Sequence, residues 1–146
     1  LSPNEHEASA MTGIALHAES EGMDRAGLSQ IMDCLSARGV RQMIITLGKS
    51  GAVWSGPRGV VNVPPATLPA VADPTGAGDS FVAAFCVGLT AGLPVEQALT
   101  FATHAAAITV SRVGAMPSLP TLDEVLAFLS ERGFSAVSAA ARAGLR

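Results

Sequence analysis

No tyrosine occurs among the 146 residues, and one tryptophan with five phenylalanines completes the aromatic set. Platforms for stacking nucleobases and tyrosine-rich recognition surfaces therefore have little to be built from. Charge is scarce as well: 14% of residues are charged, and nine Lys and Arg against twelve Asp and Glu leave a net charge of −3 with no basic block. That excludes the phosphate-neutralising patch of a nucleic-acid binder. Cys34 and Cys86 are too few and too far apart for a zinc cluster or a disulfide framework, which suits a reducing, cytoplasmic setting. Gly, Thr, His or Pro interrupts each apolar run well before the roughly 20 residues that a bilayer crossing needs, and no charged-then-apolar leader opens the chain. No membrane association is expected. The 49% hydrophobic content supplies a buried core, and the length suggests one domain. Abundant Ala and Gly favour closely packed helices and sites lined by main-chain groups.

Local patterns give an order of elements. Pro3-Asn4 reads as a strand-to-helix corner, with Asn4 as N-cap, Glu5 and Glu7 in the first turn and Gly13 as the stop. Leu28, Ile31, Met32 and Leu35 recur at helical spacing between Asp24 and Arg38, ahead of Gly39. Met43–Leu47 is a compact strand, and Ala52–Trp54 and Val60–Val63 are short strands about the turn Ser55-Gly56-Pro57. Pro64, Pro65 and Pro69, with Pro74 beyond, make residues 64–72 an extended connection and not a central strand. A helix follows with Phe81, Ala84, Phe85, Gly88 and Leu89 on one face, ending near Gly92. Another spans Val95–Arg112, with Ala98, Phe101, Ala102, Ala105 and Ile108 on its apolar positions. A third spans Thr121–Arg132 and opens on a Thr121/Glu124 capping box. The Ala-rich tail after Phe134 is expected to fray or remain disordered. The class is α/β and layered, but three or four strands are few for five or six helices. Together with an opening at Leu1 in place of Met, this leads us to expect the later portion of a longer protein.

One run carries chemistry. Gly76-Ala77-Gly78-Asp79 stands between an extended segment and a long apolar helix. Successive amides with little side-chain bulk at the positive end of a helix make an anion cradle. A carboxylate beside a bound anion repels it, so Asp79 points to a second role, that of accepting the proton of a hydroxyl nucleophile. The four residues alone are equally compatible with a plain helix start in which Asp serves as cap.

The wider run DPTGAGDSFVAAF, Asp73–Phe85, resembles the second signature of the ribokinase-like carbohydrate kinases, the PfkB family. Three further segments agree in order. PNEHEA resembles the family's Asn-x-x-Glu motif at Asn4 and Glu7. TLGKSG, Thr46–Gly51, resembles its nucleotide loop. Ser111–Pro120 resembles its late Gly-Ala-x-Pro loop. The similarity covers roughly residues 3 to 130.

The resemblance implies a layered α/β/α fold of the ribokinase type, incomplete here because the family's N-terminal portion and lid are absent. Residues 1–132 would form the nucleotide-binding and catalytic part, and 133–146 a tail. It implies an ATP-dependent sugar kinase, with a nucleoside or pseudouridine kinase as the near alternative and a non-catalytic nucleotide-binding module as one of another class. Asp79 matches the catalytic base, and Gly76, Ala77 and Gly78 match the anion hole. Asn4 and Glu7 match the pair that organises Mg²⁺ and its waters, while Thr46, Gly48 and Gly51 match nucleotide contacts and Thr103 a lining of the adenine pocket. Asp73 and the carbonyls of Thr75, Val110, Val113 and Ala115 stand where the family's K⁺ site would be. A homodimer is the expected assembly of the full-length protein. Without the acceptor-binding half, little or no turnover is expected of this segment alone.

Other chemistry-bearing residues read as structural. Lys49 is a solvated loop charge, His104 a packed histidine, His6 and His17 surface residues, and Cys86, Met116 and Trp54 packing.

Overall fold

The computed structural model describes residues 1–16, 23–68 and 70–145, so His17 and Pro69 lie outside the described residues. The chain divides into two compact units, Leu1–Pro64 and Pro65–Arg146.

In the first unit, Leu1–Pro3 run parallel to β1 (Met43–Thr46). The Ile44 amide donates to the Leu1 carbonyl at 2.9 Å and the Thr46 amide to that of Pro3 at 3.1 Å. Two helices, α1 (Glu5–Thr12) and α2 (Arg25–Ala37), form the crossover between these parallel segments. Asn4 is a full capping box and not only an N-cap: its Oδ1 accepts from the His6 and Glu7 amides, both at 2.9 Å, while Glu7 Oε2 accepts from the Asn4 amide at 2.8 Å. Beyond β1, the strands β2 (Ala52–Gly56) and β3 (Gly59–Val63) complete an antiparallel meander in the order β1-β2-β3. Ile45 pairs with Val53, and Trp54 with Val61. At Gly56 a Cβ would overlap the Trp54 ring, so the indole lies over bare backbone. The helical stripe of Leu28, Ile31 and Leu35 packs on Met43, Ile45, Leu47 and Val53, which forms this unit's core.

The second unit has four helices among its described residues: α3 (Ala77–Thr90), α4 (Val95–Val110), α5 (Leu122–Glu131) and α6 (Ser135–Gly144). α4 is buried around most of its circumference because α3 packs on one side and α5 on another. Gly88 permits the close crossing, since a Cβ there would lie 3.1 Å from Ala98 Cα. His104 is packed, as its context suggests. Its ring stands edge-on to Phe128 and Phe134, and Nδ1 lies 2.8 Å from the Thr100 carbonyl. Burial holds its pKa below the ordinary value, outweighing the opposing Thr100 bond.

Several expectations are corrected here. Leu89 is exposed because at 3.6 residues per turn it falls about 80° from Phe81, past the edge of the buried stripe. Cys86, about 140° from Phe81, is on the far side and exposed. Met116 is no packing residue: it is 82% exposed, in the turn after Gly114. Trp54 is buried and His6 exposed, as expected. The tail, expected to fray, is the ordered α6. Val137 and Ala141 are buried, and the Ser138 hydroxyl donates to the Leu126 carbonyl at 2.9 Å.

Two outcomes follow from this packing. At Gly144 a Cβ would overlap the Ala91 carbonyl oxygen, so Gly144→Ala should destabilise the fold by about 1–3 kcal/mol in thermal unfolding. Glu124 accepts from Arg112 at 2.6 Å and from the Thr121 amide at 2.7 Å, and these bonds lower its pKa from 4.5 to about 2. Its stabilising contribution is complete above pH 4.5 and is lost as pH falls through about 2. Glu124→Gln should therefore lower the melting temperature at pH 7, with the gap to wild type closing across that acid window.

Candidate active site

The chain enters α3 through Gly76 at φ +80°, the left-handed region that a glycine adopts without strain. No side chain caps this helix. The Ser80 amide makes the first turn's bond to the Gly76 carbonyl at 2.9 Å, and the Ala77 amide donates back to Pro74 at 3.2 Å. Among the described residues the amides of Gly76, Gly78 and Asp79 have no acceptor. Of the four amides in the motif, Ala77's is thus directed inward and the others are available. Asp79 is the third helical residue, exposed, and does not cap: Gly76 holds that position, and no hydrogen bond to the Asp79 carboxylate occurs among the described residues. Asp79 is therefore not the cap of this helix. An uncommitted carboxylate stands beside uncommitted donors at the positive end of a helix.

Asp73 fixes the approach to this turn. Its Oδ1 accepts from the Thr75 amide and its Oδ2 from the Gly114 amide, both at 2.9 Å. The Thr75 hydroxyl foremost, then the Gly114 and Thr75 amides, hold its pKa below the ordinary carboxylate value. The Val110 carbonyl accepts from both Ala72 (2.7 Å) and Asp73 (3.2 Å), so its two acceptor positions are used and it does not fit a cation ligand. The Ala115 carbonyl accepts from the Ser118 hydroxyl at 2.7 Å. The carbonyls of Thr75 and Val113 have no donor among the described residues. Of the oxygens that the resemblance assigns to a monovalent cation, those of Asp73 and Ala115 already accept hydrogen bonds.

In the first unit, Asn4 and Thr46 face each other as bridge partners at the carboxyl ends of two parallel segments. That end of a parallel arrangement is where α/β folds place ligands. The next residues form a tight turn: Gly48 (φ +51°) and Gly51 (φ +87°) bracket a single 3₁₀ turn, and the Leu47 amide closes it on the Gly51 carbonyl at 2.8 Å. Gly48 is exposed and Gly51 buried. Asn4 Oδ1 is committed to two amides, and Glu7 Oε2 to a third. Glu7 Oε1 faces solvent without a partner among the described residues. One free, hard carboxylate oxygen fits an Mg²⁺ ion held through its waters better than one caged directly by protein. Lys49 is exposed, as a solvated charge should be. Thr103 is buried in α4 and its hydroxyl donates to Thr100 at 2.9 Å, so it offers little polar surface.

The structure adds residues that sequence patterns passed over. Gly114 donates to Asp73 from 41 positions away. The hydroxyls of Ser80 and Thr109 meet at 2.8 Å in the interior between α3 and α4. Neither pairing carries a local signal, since spacing within an element says nothing about a partner on another.

Residues 1–122 match the family described as pfkB family carbohydrate kinase. A ribokinase from Arabidopsis thaliana is 37% identical over 131 residues, covering 88% of this chain and 33% of the relative. The crystal structure of ribokinase from Thermotoga maritima superposes with a TM-score of 0.73 at 32% identity, covering 89% of this chain and 41% of that one. The structure of Arabidopsis ribokinase complexed with ribose and ATP gives 0.73 at 34% identity, covering 88% and 40%. The chain thus spans well under half the length of these proteins, and its described elements are a part of the ribokinase-type α/β fold. With the Gly76–Asp79 turn, the Asn4–Glu7 corner and the Thr46–Gly51 loop all inside the matched stretch, the chain belongs to the pfkB family of carbohydrate kinases.

Proposed function

We propose that the protein transfers the γ-phosphate of ATP to a hydroxyl of a sugar, in the manner of ribokinase, with Asp79 as general base. The observation that carries this reading is the exposed Asp79 carboxylate, free of any capping duty, beside the unpartnered amides of Gly78 and its own residue.

The acceptor's O–H donates to Asp79 and the proton passes to that carboxylate. The oxygen forms its bond to the γ-phosphorus in line as the bond to the β-bridging oxygen breaks, and ADP departs. Charge on the transferred group is met by main-chain N–H donors, which need no reorganisation at that moment. Gly76 sets their direction. In the first unit, Asn4 positions Glu7 through the capping box, and Glu7 would hold Mg²⁺ through a water. Such an ion would supply neutralisation of a nucleotide's phosphate charge. Asp73 keeps the segment before α3 tied to Gly114, and Thr75, Val113 and Ala115 would supply oxygens to K⁺. Within the first unit, Thr46 and Gly48 would contact a nucleotide. A pure nucleotide-binding module has no use for an acid next to the phosphates, which favours the enzyme.

Asp79→Asn should reduce turnover by about 10²–10⁴-fold while leaving MgATP affinity within about twofold, measured by ADP release and by MgATP titration. Ribose, fructose and pseudouridine as acceptors would assign the substrate, and unchanged turnover would remove Asp79 from the mechanism. Gly76→Ala meets no steric barrier, its Cβ lying 3.6 Å from the Ala115 oxygen, but must hold φ +80°. It should cost about 1–2 kcal/mol of stability and lower turnover about tenfold by tilting the donors.

A further inference from the structure

We infer that Ser80 and Thr109 are positioning residues for the phosphate-facing turn: their buried hydroxyl pair sets the orientation of the first turn of α3, and with it the aim of the Gly78 and Asp79 amides. The inference rests on the reading of Gly76–Asp79 as an anion site.

Thr109 is fully buried and Ser80 nearly so. Their oxygens are 2.8 Å apart, and Thr109 Oγ1 is also 3.1 Å from the Ala105 carbonyl, one turn back in α4. A hydroxyl has one proton and a carbonyl only accepts, so the consistent arrangement has Thr109 donating to Ala105 and Ser80 donating to Thr109. Thr109 has a second contact with the same turn. Its Cγ2 lies 3.9 Å from where a Cβ would stand on Gly76. Because the Ser80 amide closes the turn on the Gly76 carbonyl at 2.9 Å, one α4 side chain borders both ends of the five-residue turn that contains Gly78 and Asp79.

Replacing two hydrogen-bonded partners by apolar groups of similar shape is close to neutral for stability. A polar pair at this crossing is therefore not required to hold α3 on α4. What it adds is direction, since a hydrogen bond is sensitive to rotation about the helix axis in a way that methyl packing is not. If Thr109 loses its oxygen, the Ser80 hydroxyl is left with the carbonyls of its own helix, and back-bonding of this kind bends a helix. The bend would fall on the turn whose amides face the anion.

The test is a titration of the ¹⁵N-labelled chain with MgATP, following the Gly78 and Asp79 amides by NMR in wild type, Thr109→Val, Thr109→Ser and the double variant S80A/T109V. Wild type should show saturable shifts at both amides. Thr109→Val should bind about tenfold more weakly with the spectrum elsewhere preserved, and Thr109→Ser should restore affinity to within about twofold. Should Thr109→Val alone fail to fold, S80A/T109V removes the stranded hydroxyl and should fold with the same tenfold loss. Wild-type affinity in a folded Thr109→Val or in the double variant overturns the inference and leaves the site reading intact. No response at Gly78 and Asp79 in wild type overturns the site reading, and this inference with it.

Discussion

The function proposed for the second unit depends on a single backbone angle, φ +80° at Gly76. α4 and α6 also begin without a side-chain cap, and the other three helices supply the contrast. In α1 the amides of the second and third helical residues are taken by the Asn4 side chain, in α2 the Asp24 side chain takes the Gly27 amide, and in α5 Thr121 takes that of Glu124. A side-chain cap stabilises a helix by satisfying these donors, and by doing so removes them from chemistry. At α3 the left-handed glycine brings the chain into the helix with no side chain to consume them. The same feature forgoes a cap's stability, which is why this turn depends on tertiary support.

That support comes from sequence-distant partners. Asp73 holds Gly114 and Thr75, and Val110 takes two amides from residues 72 and 73. Thr109 reaches Ser80 across the α3–α4 interface. All but the local Asp73–Thr75 bond join the segment around α3's start to α4 or to the loop after it. The ordering of an exposed glycine turn, entropically expensive by itself, is thereby spread over a well-packed helix pair. The interior between the helices is close enough to transmit this, because Gly88 lets the backbones meet at Ala98.

Much of the architecture was legible in the chain because it is encoded locally. The Asn4/Glu7 and Thr121/Glu124 caps are short-range patterns with a fixed geometry, and both helices start where those patterns place them. The stripe Leu28, Ile31, Leu35 identifies its buried face by period alone. What was not legible is either marginal to a period or non-local. Leu89 sits at the margin of α3's stripe, and Met116 lies in a turn where apolarity gives no direction. The division into two units depends on where packing stops, which no local pattern reports. Within the site, Gly76 and Asp79 were recognisable as residue types. The absence of a capping bond to Asp79, the engagement of Ala77 with Pro74 and the saturation of Val110 are properties of the folded backbone that residue type does not encode.

The placement of a carboxylate beside unpartnered donors is itself an electrostatic argument. Both an acid and a phosphate are favoured at a helix N-terminus, so they compete for the same partial charge and repel one another at rest. A site meant only to hold an anion gains nothing from that arrangement. For a base the position becomes useful once the hydroxyl proton moves: the carboxylate is neutralised as negative charge grows on the transferred group, and the amides then face one anion and not two. The repulsion is present before the transfer and falls away during it, so the arrangement favours the transition state over the ground state. If Asp79 is the base proposed above, Gly76 would expose the donors and Asp79 would set when their field is fully available.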